Sequence, residues 1–441
     1  MKVTIIGAGS VVFAKRLISD ILSFPELKET TFALTDINPE RLQTSEKMAK
    51  SLIESNGNLA HVKAFLDRKS ALENADYVIN LIQVGMHEAT LLDFEIPKRY
   101  GLKQTIADTL GVGGVFRALR TIPVLLDICR DMEEVCPDAW LLNYTNPMAM
   151  LILAIQKETS IKSVGLCHSV QNTAEELASY LKIPVQELEY KVAGINHMAW
   201  FLELKRNGID LYPDLFLAME DEEIYAKDKV RFEMMRRLNY FITESSEHMS
   251  EYTPYFIKRD RLIKEFDIPI DEYIKRSEDN LNHFSETKRM IERGQPFEVQ
   301  KSHEYGAPII HSIETGVNRE IWGNVLNTNL ITNLPENACV EVPCLVNKQG
   351  IQPIHVGDLP PHLAAMNMTN INVQQLVVEA ALTGNIDYVY QAVMLDPHTA
   401  SVLSLDEIWN MTKELIDAHG SSLQTFTKGR NLSFKGKVAA R

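Results

Sequence analysis

This 441-residue chain has no apolar run of the roughly 18 to 20 residues that a transmembrane helix needs. It has no surplus of positive charge. Its formal net charge is −14, which argues against nucleic acid or an anionic membrane as a partner. It has only five cysteines, an odd number without a C-x-x-C pair. A disulfide framework is therefore not expected, and most of the five read as small buried hydrophobes. No basic stretch followed by an apolar one opens the chain, and no internal repeat or low-complexity tract interrupts it. The expectation is a cytoplasmic protein without a targeting segment. What remains is an ordinary globular composition, 45% hydrophobic and 24% charged, with enough length for two or three subdomains and a large core.

The first positive signal is at the start. Val3–Ile6 reads as a short buried strand, Gly7-Ala8-Gly9-Ser10 as a tight turn, and Val11 to Phe24 as a helix. Thr31–Asp36 reads as the next strand and ends on an acid. Glycines let the backbone approach a pyrophosphate, a helix N-terminus offers its N–H groups, and the acid accepts from a ribose hydroxyl. Val12 stands where the fingerprint has Gly or Ala, so a bare strand-to-helix turn stays open as a reading. Asp36 favours NAD over a 2′-phosphorylated cofactor, although Arg41 lies one turn into the next helix.

Further apolar runs of strand length are Val62–Phe65, Tyr77–Leu81, Gln104–Ala107, Ala139–Asn143 and Ser163–Leu166. Amphipathic stretches such as Pro39–Ser55 and Leu119–Val135 separate them. This rhythm predicts an α/β fold, a Rossmann-like doubly wound parallel sheet of the lactate/malate dehydrogenase type. Asn146-Pro147 opens a helix to Thr159, with Pro at the first helical position. Residues 188–204 read as strand–turn–strand around Gly194-Ile195-Asn196-His197, and 210–330 as mostly helical, with Phe232–Glu251 and Asp271–Arg293 the clearest helices. Pro360-Pro361 marks a break within Leu359–His362; Gln374–Thr383 and Leu405–Ala418 read as helices, and the chain from Thr427 onward as frayed. The expected division is a cofactor domain over 1–190 and a mixed α+β domain over 191–441.

Several clusters carry chemistry, each with a bland alternative. Gly111-Val-Gly113-Gly114 follows Asp108 and is either a flexible loop before the helix at Leu119 or a loop whose backbone approaches a ligand. Asn143-Tyr-Thr-Asn146-Pro147 puts two amides at a strand end, as caps or as contacts to a cofactor and a sugar. Cys167-His168 follows a strand, and His197 comes thirty residues later. They are either core residues or a thiolate and an imidazole that hold a divalent metal with open positions. Tyr252 and Tyr255 either pack or, beside a cation, serve as a base.

Taken in order, these segments resemble glycoside hydrolase family 4, the NAD- and metal-dependent glycosidases. The residues that carry the resemblance are Gly7-Ala-Gly-Ser10, Asp108-Thr-Leu-Gly-Val-Gly113-Gly114, Ala118-Leu-Arg-Thr-Ile-Pro123, Asn143-Tyr-Thr-Asn146-Pro-Met and Cys167-His168-Ser169. Gly194-Ile-Asn196-His197, Ser250-Glu-Tyr252-Thr-Pro-Tyr255, Val340-Glu341-Val-Pro343, Gly357-Asp-Leu-Pro360 and Leu395-Asp396-Pro397 extend it nearly end to end. The resemblance implies an exception to two-carboxylate glycoside hydrolysis. NAD⁺ takes hydride from C3 of the sugar, a base removes the acidified C2 proton, the C1–O bond breaks by elimination, water adds, and the hydride returns. It also implies roles. Cys167 and His197 hold Mn²⁺ or another divalent metal against the sugar O2/O3 side. Tyr252, chosen over Tyr255, is the base, and His168 the candidate leaving-group acid. Asn146 and Asp108 meet the substrate, and Gly7, Gly9, Ser10, Val11, Asp36, Asn38, Gln83 and Asn143 form the cofactor set. A homo-oligomer, dimer or tetramer, is expected.

Members acting on 6-phosphorylated sugars typically carry an Arg in the segment matching Gln83-Val84-Gly85. Its absence here removes a bidentate phosphate clamp and favours an unphosphorylated sugar. The Cys167-His168-Ser169 form is most similar to the α-galactosidase branch, acting on α-galactosides of the melibiose and raffinose type. α-Glucosidase and α-galacturonidase or glucuronidase activities are the alternatives within the family. Outside it stand a 2-hydroxyacid dehydrogenase, whose His and Arg motifs are missing, and a non-enzymatic NAD-binding scaffold, which has no use for Cys167 with His197.

Overall fold

The computed structural model describes residues 1–55, 57 and 59–427. Twelve strands form one sheet: β1 (Lys2–Ile6), β2 (Thr31–Thr35), β3 (His61–Phe65), β4 (Tyr77–Asn80), β5 (Trp140–Asn143), β6 (Lys162–Gly165), β7 (Glu189–Ile195), β8 (Met198–Arg206), β9 (Ile209–Asp210), β10 (Arg319–Leu326), β11 (Cys339–Asn347) and β12 (Gly350–Pro353). Their order is β3-β2-β1-β4-β5-β6-β10-β11-β7-β8-β9, with β12 added to β11. The first six are parallel, and the largely buried runs of β1, β2, β4 and β5 suit a sheet covered on both faces, while β3 closes its end partly exposed. β10 joins β6 antiparallel, and the remainder of the sheet is antiparallel.

One row of partners crosses this sheet. Thr35 pairs with Ile6, Ile6 with Asn80, Asn80 with Asn143, and Asn143 with Gly165. Gly165 then pairs with Asn324, Asn324 with Glu341, and Glu341 with Gly194. The glycine turn, Asp36, Cys167 and His197 all follow within three residues of this row. The strand order reverses between β1 and β4, and ligands in such sheets sit outside the strand ends at that point.

The expected parallel strands are present except Gln104–Ala107, which pairs with no strand. The helix expected from Leu119 begins at Gly111 and runs to Val135. A Cβ at Gly113 would sit 2.4 Å from the Ala107 carbonyl oxygen, and one at Gly114 2.6 Å from the Thr109 carbonyl carbon. These glycines therefore allow helix and chain to touch, and they form a first turn rather than a loop. Phe232–Glu251 is two helices, Lys229–Leu238 and Ser246–Glu251. Between them Asn239 turns left-handed at φ 63°, and Phe241-Ile242-Thr243 pairs with β8 through Phe201 and Ala199. The β-branched and aromatic residues of that segment suit strand pairing better than helix. Met148, not Pro147, is the first residue of its helix. The helix expected from Gln374 starts at Pro361, so the two prolines open it rather than break it. Glu272–Glu292 and Leu405–His419 fall where expected. Thr427 is held, its N–H donating to the Gly384 carbonyl at 2.8 Å; the rest of the expected frayed segment lies outside the described residues. No helix among the described residues is long and apolar enough to cross a membrane.

Candidate active site

Cys167 lies just past β6, in the short connection to the helix Ser169–Leu181. His197 occupies the two-residue turn between β7 and β8, at φ 61°. Its Nε2 is 3.2 Å from Cys167 Sγ. A third donor, missed in the sequence, completes the group: Glu244 Oε2 is 3.7 Å from His197 Nε2 and 4.0 Å from Cys167 Sγ. All three donor atoms lie within 4.8 Å of one another. Glu244 has φ 75°, an uncommon conformation for a residue with a side chain. Buried Arg231 holds it there, Nη1 donating to the Glu244 carbonyl at 2.5 Å, while the Glu244 N–H donates to Thr173 Oγ1 at 3.2 Å. An unbroken helix over 232–251 would have turned Glu244 elsewhere, so the helix break is what brings it in.

One sulfur, one imidazole nitrogen and one carboxylate oxygen suit a borderline divalent metal and leave positions open for other ligands. The charge balance fits as well. Burial, with Glu244, pushes the Cys167 thiol up to about 12, so the protein alone keeps it a thiol; a bound cation removes that proton. Burial would also raise Glu244, but His197, His248 and His168 outweigh it and hold its carboxyl at about 2. His248, pushed down to about 4 by burial, packs edge-on against His197 at 4.6 Å between ring centres.

Tyr252 is fully buried, and its hydroxyl is 2.9 Å from His197 Nδ1. Burial, together with Asp108 and Glu251, raises its phenol well above the ordinary value. Tyr255 is 46% exposed and packs on Phe256, so of the two tyrosines only Tyr252 meets the donor group. His168 is half-exposed, with Nδ1 3.6 Å from Glu304 Oε1. Glu304, itself 3.4 Å from Arg16, raises the imidazole to about 9.

Asp108 is buried, and its Oδ2 accepts from Asn146 Nδ2 at 3.1 Å. Burial opposes the Asp108 charge, but Arg117, His248 and His197 hold the carboxyl below its usual range. Arg117 also donates from Nε to the Asn146 carbonyl at 3.2 Å. These links bring the two expected substrate residues, Asp108 and Asn146, into one hydrogen-bonded unit.

The cofactor end fits a dinucleotide. A Cβ at Gly7, which has φ 77°, would lie 2.8 Å from the Ile82 nitrogen, and one at Gly9 2.6 Å from the Asp36 carboxylate. Asp36 Oδ2 accepts from the Gly9 N–H and Oδ1 from the Asn38 N–H, each at 2.8 Å. Ser10 is exposed, and Val11 is buried at the start of the helix Val11–Leu22. The Asn38 side-chain Oδ1 caps the helix Pro39–Ser55, accepting from the Glu40 and Arg41 N–H groups. Gln83 is partly buried beyond β4. Asn143 is wholly buried, accepting from Asn80 at 2.8 Å and donating to the Thr145 carbonyl at 3.0 Å.

Against known proteins, residues 2–183 match the family 4 glycosyl hydrolase profile and residues 192–399 that of the family 4 glycosyl hydrolase C-terminal domain. The chain is 50% identical over 429 residues to an α-galactosidase of Bacillus subtilis (strain 168), covering 96% of this chain and 99% of that protein. It is 38% identical over 438 residues to an α-galactosidase of Rhizobium meliloti (strain 1021), covering 96% and 89%. Its fold is similar to that of a 6-phospho-β-glucosidase of Thermotoga maritima crystallised with manganese, NAD⁺ and glucose-6-phosphate. That structure has a TM-score of 0.79 at 20% identity, over 96% of this chain and all of that one.

Proposed function

The chain belongs to family 4 of the glycosyl hydrolases, and from that premise we propose that it hydrolyses α-galactosides of the melibiose and raffinose type with NAD⁺ and a divalent metal, Mn²⁺ in the first instance. The observation that carries the reaction is the sulfur, nitrogen and oxygen group of Cys167, His197 and Glu244, with Cys167 just past the carboxyl end of β6 in the same parallel sheet whose β1 and β2 lead into the Gly7–Gly9 turn and Asp36. The α-galactosidase relatives support the choice of sugar. So does neutral Gln83, which offers no charged clamp for a 6-phosphate.

The cofactor supplies a hydride acceptor and donor for the sugar C3, and the metal supplies positive charge that stabilises an enolate. The remaining work falls to side chains. Asp36 receives the ribose hydroxyls, and the Gly7–Gly9 turn brings the N-terminus of the helix Val11–Leu22 against the pyrophosphate; Ser10, Val11, Asn38, Gln83 and Asn143 complete the cofactor set. Cys167, His197 and Glu244 hold the metal. Asp108 and Asn146 orient the sugar. Tyr252 Oη takes the C2 proton; the His197 Nδ1–H, directed at that oxygen once Nε2 is committed, favours its phenolate. His168 gives a proton to the departing oxygen, and Glu304 keeps that proton in place at neutral pH.

We place the cofactor half at 1–190 and the substrate and oligomerisation half at 191–441, in a cytoplasmic homo-oligomer, dimer or tetramer, whose mass light scattering measures. The activity is tested with p-nitrophenyl α-galactoside beside the α-glucoside, α-uronides and 6-phosphorylated sugars, each with NAD⁺, Mn²⁺ and reductant. Hydrolysis of the α-galactoside that disappears on omission of either NAD⁺ or Mn²⁺ is expected. A preference for any other sugar, or NADH accumulation with a hydroxyacid, overturns the reading.

A further inference from the structure

Residues 104–107 run past the helix Gly111–Val135 without a strand partner. Their backbone N–H groups still need acceptors. A single carboxyl group supplies three of the four. Glu251, the last residue of the helix Ser246–Glu251, is 2% exposed. Its Oε2 accepts from the Thr105 N–H at 3.0 Å and the Ile106 N–H at 3.2 Å, and its Oε1 from the Ala107 N–H at 2.8 Å. Three successive N–H groups turned on one carboxyl group form a nest. Thr105 Oγ1 adds a bond to the Glu247 carbonyl at 2.9 Å. Ala107, at the end of the nest, has φ 48°, a left-handed conformation uncommon for alanine. Asp108 is the next residue.

The next residue on the other chain segment is Tyr252, whose hydroxyl meets His197 Nδ1. Two consecutive residues thus hold two separate parts of the site: Glu251 the backbone that presents Asp108, Tyr252 a metal-binding imidazole. One peptide unit, Glu251–Tyr252, links the backbone before Asp108 to the Cys167–His197 pair, alongside the Asn146 and Thr109 contacts of the Asp108 side chain.

We infer that Glu251 is a positioning residue for α-galactoside hydrolysis, acting through the Ala107–Asp108 backbone to hold Asp108 against the metal pair. The inference rests on the reading of Asp108 as a sugar-orienting group. Glu251→Gln keeps the shape and one acceptor oxygen but turns an amide toward N–H donors. Glu251→Asp keeps the charge and withdraws it by one methylene. Both leave Cys167, His197, Glu244 and the glycine turn untouched.

The test is a double-mutant cycle on kcat/KM for p-nitrophenyl α-galactoside at saturating NAD⁺ and Mn²⁺, with Mn²⁺ affinity followed by electron paramagnetic resonance. Glu251→Gln alone is expected to lower kcat/KM by roughly 10- to 100-fold, the range for a misplaced binding group, and Glu251→Asp to lower it as well. Mn²⁺ affinity is expected to hold within about twofold in both, because no ligand has changed. In an Asp108→Asn background the same changes should remove less than about threefold more. An equal loss in both backgrounds, or a parallel loss of Mn²⁺ affinity, overturns the inference. Wild-type kcat and KM in Asp108→Asn alone overturn the reading of Asp108 beneath it, a separately visible outcome.

Discussion

The Tyr252 hydroxyl lies 2.9 Å from Nδ1 of His197, whose Nε2 is 3.2 Å from Cys167 Sγ. The phenol therefore stands directly behind the imidazole proposed as a metal ligand, on the ring nitrogen opposite the one that faces Cys167. Tyr252→Phe should lower kcat by roughly 10² to 10⁴-fold, the range for loss of a general base. It should weaken Mn²⁺ binding by no more than about 10- to 100-fold, the range for loss of a ligand's hydrogen-bond partner. A deuterium isotope effect at sugar C2 reports the proton transfer directly; an unchanged kcat removes Tyr252 from that role.

Glu244 differs from Tyr252 in offering a donor atom of its own. Glu244→Gln removes the charge while leaving the Arg231 and Thr173 contacts to its backbone in place. Mn²⁺ affinity should fall by at least about tenfold, with NADH binding, followed by fluorescence, unchanged. If the substitution leaves Mn²⁺ titrations as they were, Cys167 and His197 are the whole protein share of the site.

The pH dependence follows from His168 and Glu304. Glu304 raises the imidazole to about 9, and the protonated form is the one that donates. kcat/KM should therefore hold level through neutral pH and fall as pH rises through about 9. In Glu304→Gln that fall should move toward the ordinary imidazole range near about 6.5. A pH profile with the same alkaline limb in Glu304→Gln assigns the limb to another group.

Gly9→Ala tests the cofactor turn. The added methyl would begin 2.6 Å from the Asp36 carboxylate, so the acid expected to receive the ribose must move. NADH affinity should drop by at least about tenfold, the equivalent of one lost charge-assisted hydrogen bond, and Mn²⁺ affinity should not change.

A stability prediction concerns the pair Arg120 and Asp93, joined at 2.7 Å with both side chains buried. His419 Nε2 lies 2.8 Å from the same carboxylate. Arg120→Ala strands a buried anion and should reduce unfolding free energy by roughly 3 to 5 kcal/mol, measured by urea denaturation of the apoprotein. A loss below about 1 kcal/mol would mean that His419 carries the Asp93 charge by itself.

Much of this was legible because parallel strands and glycine turns write themselves locally. Val3–Ile6, the turn and Asp36 need only a few neighbours, and Cys167 and His197 stand beside turn residues. What escaped depends on distant partners. Glu244 enters the site because Phe241–Thr243 pairs with β8, a contact that no helical period in 232–251 announces. Gln104–Ala107 has the composition of a strand, yet the N–H groups of Thr105, Ile106 and Ala107 go to a carboxyl group 144 to 146 residues away in the sequence. Gly113 and Gly114 looked like a loop because helix propensity penalises glycine; close contact with Ala107 and Thr109 overrides that penalty.

The row from Thr35 to Gly194 crosses the junction between the parallel and antiparallel parts of the sheet through the pairing of Gly165 with Asn324. During synthesis the cofactor turn leaves the ribosome first, with Cys167 but without His197, Glu244 or Glu251. A nascent first half carries Cys167 but neither of its two neighbouring donors, so the Cys167–His197–Glu244 group assembles only after the chain has been made through residue 244.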